Sequence, residues 1–157
     1  IQVSANTGAD VLTITIRDNG RGMPPEFVAR VRDPFTTTRT TRRVGLGIPM
    51  FEEAARACDG DLSLESEPGN GTSLRATFRL SHIDRAPLGD IASTLVALIA
   101  ANPDIRFYYT QSVDGSEFAL DTDEIKAQLD GVPINEGAVL KWIADYVREQ
   151  TPPTDGI

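Results

Sequence analysis

Residues 17–27 read RDNGRGMPPEF and follow VLTITI at residues 11–16. In VLTITI, apolar Leu12, Ile14 and Ile16 alternate with Thr13 and Thr15. That is the period of a strand with one buried face. Asp18, Gly20 and Gly22 then take alternate positions where the strand ends. A turn explains them, since Asn-Gly and Arg-Gly are ordinary chain reversals and Asp18 can cap one. A ligand site explains them too, with a carboxylate facing the ligand and glycines admitting it close to the backbone. Taken alone, the residues favour the turn.

Outward from this stretch, IQVSAN reads as a strand that TGAD turns into the next one. Pro24, Pro25 and Glu26 open a short helix over about Pro25 to Arg32, with proline tolerated in the first turn and acid complementing the dipole. Residues 33–44 hold five Thr and three Arg with almost no apolar anchor, the composition of a mobile loop. From Leu46 to Cys58, Leu46, Met50, Phe51, Ala54, Ala55 and Cys58 recur at helical spacing, and Gly60 follows as a stop. DLSLES and TSLRATFRL, joined by EPGNG, make a hairpin. Beyond residue 80, helices are expected at Leu88 to Ala101, over DTDEIKAQL and over NEGAVLKWIADYVREQ. The Asp-Gly between IRFYYTQSV and SEFAL marks a second hairpin. The expected organisation is one domain over residues 1–80 and an acidic α/β extension over residues 81–157.

The chain has 157 residues, 40% of them hydrophobic, enough for a core and against wholesale disorder. Its net charge of −8 is uneven: residues 1–80 carry ten basic and ten acidic side chains, residues 81–157 five and thirteen. That excess argues against a nucleic-acid partner, which needs clustered Lys and Arg. Arg30, Arg32, Arg39, Arg42 and Arg43 crowd one stretch of the neutral half and suit a small anion. Cys58 is the single cysteine, so neither an internal disulfide nor a cysteine metal cluster forms. IASTLVALIAA is too short to span a bilayer, and no leader pattern is present, so no membrane and a cytoplasmic setting are the expectations.

Three glycine-bearing segments line up in order: DNGRG, VGLGIPM opening a helix, and GNGTSLRATF entering a strand. A glycine pair at a helix start lets free N–H groups and the positive dipole end meet phosphate. Singly these signals are weak. Together they resemble the ATP-binding domain shared by sensor histidine kinases, DNA gyrase, Hsp90 and MutL, with the histidine-kinase branch most similar. The first glycine box is met by Asp18, Gly20, Gly22 and Met23, and the phenylalanine box by DPFTTT with Phe35 as marker. The second glycine box is met by Gly45, Leu46, Gly47 and Ile48, and the last by Gly71 and Thr72. The whole chain also looks like small stand-alone bacterial ATP-binding proteins.

The resemblance implies a two-layer α/β sandwich, a mixed sheet with helices on one face, that binds ATP or ADP. An ionised Asp18 accepts from the adenine amino group and repels the guanine carbonyl. Gly20 and Gly22 leave room for the base, and Thr72 fixes the adenine end through its hydroxyl. TTRTTRRV, including Thr37, Thr38 and Arg39, stands where the family has a lid over the phosphates. The family also has a helix before this first strand, whose asparagine holds magnesium. Nothing in IQVSANTGAD is that helix, and Asn6 is not assigned the role. Either the chain has lost its start, which its abrupt beginning at Ile1 favours, or it is a natural protein that binds nucleotide without full catalytic equipment. An ATPase or kinase would be complete only once that helix is restored. No catalytic residue is assigned. His82 lacks the helix and acidic neighbour of a phospho-acceptor and reads as a linker histidine bonded to backbone or Asp84. The expected function is nucleotide binding by a regulatory protein that acts on a separate protein partner, with a homodimer left open. The alternative is an interaction module that keeps the fold without nucleotide.

Overall fold

A computed structural model of the chain describes residues 1–32 and 46–153. These form two compact units, Gln2–Arg85 and Ala86 onward together with Ile1. The first unit contains β1 (Gln2–Asn6), β2 (Val11–Asp18), α1 (Pro25–Val28), α2 (Gly47–Ala57), β3 (Leu62–Ser66) and β4 (Thr72–Arg79). Its strands lie in the order β3-β4-β2-β1, and each neighbouring pair is antiparallel. The α/β class expected from the sequence is the one the chain adopts.

The two-residue period of the strands fixes which side is buried. Register places Val3 opposite Ile14 and Ala5 opposite Leu12; Leu12 pairs with Phe78, Ile14 with Ala76, and Leu62 with Ala76. Val3, Ala5, Leu12, Leu62, Leu74, Ala76 and Phe78 are buried. Helix α2 covers this face, its Ala55 fully buried and its Phe51 ring centroid 5.8 Å from that of Phe78. Each large apolar side chain so buried contributes about 1.5–3 kcal/mol. Helix α1 is a single turn, shorter than the helix expected to Arg32. Past Val28 the chain turns so that Val31 is buried and the Arg32 guanidinium reaches Glu52 of α2 at 3.1 Å and the Leu62 carbonyl at 3.0 Å.

Asn6, which ends β1, accepts the Ala9 N–H at 2.8 Å through its side-chain oxygen. Asp10, at a φ of 55°, accepts from the Ser81 N–H and hydroxyl and from Arg79. Those bonds, the Ser81 ones foremost, hold its carboxyl below the usual range.

The second unit contains α3 (Ile91–Ala101), β5 (Tyr108–Val113), β6 (Ser116–Asp121), α4 (Thr122–Gln128) and α5 (Gly137–Gln150). Asp114 and Gly115 both take positive φ, as a tight hairpin turn between β5 and β6 requires. Helix α3 starts at Ile91 rather than at the expected Leu88. Gly89 has a φ of 73°, outside the helical region, and Asp90 caps the first turn by accepting the Ser93 N–H at 2.9 Å. Asp90 also accepts from Arg148 of α5 at 3.0 Å, tying together two helices whose Leu95, Ile99, Ile143 and Val147 are buried. Asp121 accepts both its Asp123 cap bond and two bonds from Arg106. Among the described residues no helix is long and apolar enough to cross a membrane.

Candidate nucleotide site at the end of the sheet

At the end of the first unit's sheet three polar side chains replace the apolar row. Asp18 pairs in register with Thr72, and Thr72 with Ser66. They therefore share the face of Leu74, Ala76 and Phe78, two residues beyond buried Leu74. Asp18 is exposed; its Oδ1 accepts the Gly20 N–H at 2.9 Å, and its Oδ2 has no partner among the described residues. An open groove of about 350 Å³ runs round this end of the sheet, bordered by Asp18, Ser66 and Thr72 on one face, by Arg17, Glu65 and Ser73 on the other, and by the turn residues Glu67, Asn70 and Gly71.

Two turns lock this rung in place. The turn after β2 and the turn between β3 and β4 meet through main chain: the Gly69 N–H donates to the Arg21 carbonyl at 2.8 Å. The Met23 N–H donates to Ser66 Oγ at 2.9 Å. A Cβ at Gly22 would overlap the Glu67 carbonyl, and one at Gly71 would overlap the Asp18 carbonyl. Both glycines also have positive φ, 64° and 76°. On the side a Cβ at Gly22 would take, the chain's own Glu67 carbonyl stands. Gly20 differs, because a Cβ there would meet only the Asp18 carboxylate, at 2.8 Å. The turn and the site are one object: the glycines fasten the two turns and the fastened turns present Asp18 and Thr72.

Leu46 and Gly47 begin α2. Leu46, at the N-cap, provides no side-chain hydrogen bond, so the first-turn N–H groups of Gly47 and Ile48 lack a helical acceptor. Among the described residues, a Cβ on Gly47 would meet nothing within 4 Å. Phe35, Thr37, Thr38, Arg39 and Gly45, with the loop expected over residues 33–44, lie outside the described residues.

His82 is bonded as a linker histidine. Its Nδ1 accepts the Asp84 N–H at 3.2 Å, and its Nε2 lies 3.8 Å from the Asp59 carboxylate. Sequence pattern alone passes over Ser66, a strand serine whose importance depends on cross-strand register. The signal available is its placement across the EPGNG turn from Thr72.

A strand-end carboxylate, glycine-fastened turns and a glycine at the start of α2 thus stand in the same unit. The family described as "Histidine kinase-, DNA gyrase B-, and HSP90-like ATPase" matches residues 1–82, and the chain belongs to it. It carries an ATP-binding domain of the histidine-kinase type. It is similar to the sensor protein kinase FleS of Pseudomonas aeruginosa, 44% identical over 91 residues that make up 58% of this chain and 22% of that protein. Similarity to the sensor histidine kinase RcsC of Escherichia coli is 36% over 85 residues, 51% of this chain and 9% of RcsC. Sporulation kinase C of Bacillus subtilis is 31% identical over 80 residues, 51% of this chain and 18% of that kinase. The chain thus spans less than a quarter of the length of each of these relatives.

Proposed function

We propose that residues 1–80 hold ATP with its adenine at the Asp18–Thr72 rung, and that the nucleotide serves a protein partner. The observation that carries this reading is the free Oδ2 of Asp18, an acceptor fixed at the sheet end with no described partner. A carboxylate there accepts from the 6-amino group of adenine and repels the 6-carbonyl of guanine. The open N-terminus of α2 at Gly47 supplies N–H donors and the positive dipole end for the phosphates. Thr37, Thr38, Arg39 and Gly45 are assigned to the phosphate side by the family pattern alone. Magnesium is assigned no residue of this chain.

His82 is the single histidine of the chain and is bonded to backbone. With its Nδ1 taken by the Asp84 N–H, His82 is not assigned as a phosphoryl acceptor, and a regulatory action on a protein partner stands as part of this proposal. Retention of Asp18 with an unfilled acceptor weighs against an interaction module that has given up nucleotide.

Calorimetry with ATP and GTP, on the wild type and Asp18→Ala, tests the reading. Loss of a hydrogen bond to a charged group costs about 1.5–3 kcal/mol, or roughly tenfold to a hundredfold in ATP affinity. Thermal unfolding should change little, since Asp18 is exposed. A destabilised variant that still prefers ATP over GTP would make Asp18 a structural cap and end the proposal.

A further inference from the structure

We propose that Ser66 is a positioning residue that sets the direction of the Thr72 hydroxyl proton and so makes the base-reading rung a pair of acceptors. The inference rests on the nucleotide reading of that rung. Ser66 Oγ stands within hydrogen-bonding reach of the Met23 N–H at 2.9 Å, the Gly71 carbonyl at 2.8 Å and Thr72 Oγ1 at 3.0 Å. A serine hydroxyl has one proton to give and two lone pairs to receive. The Met23 N–H can only donate and the Gly71 carbonyl can only accept. Gly71 is a buried residue, where a carbonyl left without a donor is costly. Ser66 therefore gives its proton to Gly71 and takes one from Met23. Its second lone pair faces Thr72, and that last bond closes only if Thr72 donates.

The consequence lies on the other side of Thr72. Its single proton is spent on Ser66, so it has only lone pairs to offer a ligand. Asp18 Oδ2, on the next strand and in register with Thr72, also only accepts. The rung thus faces a base with two acceptors and no donor. A 6-amino purine can satisfy such a pair. A 6-keto purine places a carbonyl oxygen there and finds no hydrogen to bind. Asp18 supplies the repulsion by charge, while Ser66 supplies it by holding a proton away.

Freed from Ser66, Thr72 can rotate and donate. Ser66→Ala should therefore improve binding of inosine triphosphate relative to ATP, lowering the ATP preference by about two- to tenfold, the worth of one neutral hydrogen bond. A purely structural loss would weaken both nucleotides alike and leave their ratio unchanged. Ser66→Thr keeps the hydroxyl and should keep the wild-type ratio. Ser66→Ala combined with Thr72→Val should cancel the gain for inosine triphosphate, because the rotating hydroxyl is gone. Titrations of ATP and inosine triphosphate on these proteins, each checked by thermal unfolding, decide the matter. A wild type that does not discriminate between the two overturns the nucleotide reading itself. A discriminating wild type with an unchanged ratio in Ser66→Ala overturns only the role of Ser66. Should Ser66→Ala not fold, Ser66→Val, which matches the Ser66→Thr control in shape but lacks its hydroxyl, carries the same expected shift. If neither folds, Ser66 is structural and the proposal is wrong.

Discussion

The carbonyl oxygen of Asp18 occupies the place that a Cβ at residue 71 would need, so the strand that carries the carboxylate is packed against the bare backbone of Gly71. Gly71→Ala must move one of the two turns and also strain a φ of 76°. The expected cost is about 2–4 kcal/mol. Gly69 lies two residues earlier with a φ of 82° and open space around it. Gly69→Ala should cost only the strain, about 1 kcal/mol. Urea unfolding of the two variants separates close approach from conformation. Equal losses would show that the approach of Asp18 to Gly71 is not limiting.

Gly47 makes the opposite forecast. Nothing lies within 4 Å of a Cβ there, and alanine favours a helix. Gly47→Ala should leave stability unchanged or raise it by about 0.5 kcal/mol. ATP affinity should nevertheless fall, while adenosine affinity holds, if phosphates approach this helix end. Calorimetry with both ligands reads the difference, and a parallel loss for adenosine would move the phosphates elsewhere.

Glu52 is buried on α2 and its Oε1 accepts from Arg32 at 3.1 Å and from Arg56 at 2.6 Å. Both guanidinium groups are substantially exposed, which reduces what each pair is worth. Glu52→Ala should cost about 1–2 kcal/mol. Arg32→Ala should cost more than Arg56→Ala, because Arg32 also donates to the Leu62 carbonyl. Chemical denaturation ranks the three; equal effects from the two arginines would make the Leu62 bond energetically silent.

Acid should loosen the protein through three carboxylates. Hydrogen bonds from Ser81 lower the Asp10 pKa, those from Ser93 and Arg148 lower that of Asp90, and Arg106 lowers that of Asp121. Each is depressed in the folded state. Its contribution is therefore fully present above the unfolded carboxylate value near 3.9 and lost as pH falls below it. The melting temperature should hold from pH 7 to 5 and drop below about pH 4. Asp90→Asn and Asp121→Asn should each melt lower at neutral pH and show a shallower acid decline. An undiminished decline in the double variant would assign acid sensitivity to other groups.

Where local pattern and local burial coincide, the sequence is informative. Leu12 is apolar because one face of β2 is covered there, and Ala55 and Cys58 recur because one face of α2 is. The alternation of β2 does not track burial to its end, where Thr15 is buried and Ile16 exposed. The order Asp18, Gly20, Gly22, then Gly47, then Thr72 is likewise visible along the chain. Less visible is what long-range geometry adds. Nothing local says that Gly22 faces the Glu67 carbonyl, or that Ser66 bonds Met23 across 43 residues. Glu52 looks like a solvent-facing helix residue until Arg32 is brought beside it. Asp90 is legible as a cap, with Ser93 three residues on, but the apolar run beginning at Leu88 draws the helix start too early.

Strand β3 pairs only with β4, and β4 then separates it from β2. During synthesis the residues of β3 emerge before the one strand that can receive them. Leu62 and Leu64 must wait in water until β4 has followed and slid into the gap. The non-local pairing is costly in loop entropy and slow to form. Asp18 and Thr72 meet only at that step, since one comes from the strand already in place and the other from the late arrival. On the proposed reading, the rung that reads the base therefore exists only once the sheet has closed. A nascent chain still lacking β4 would carry the first glycine turn with no Thr72 beside Asp18.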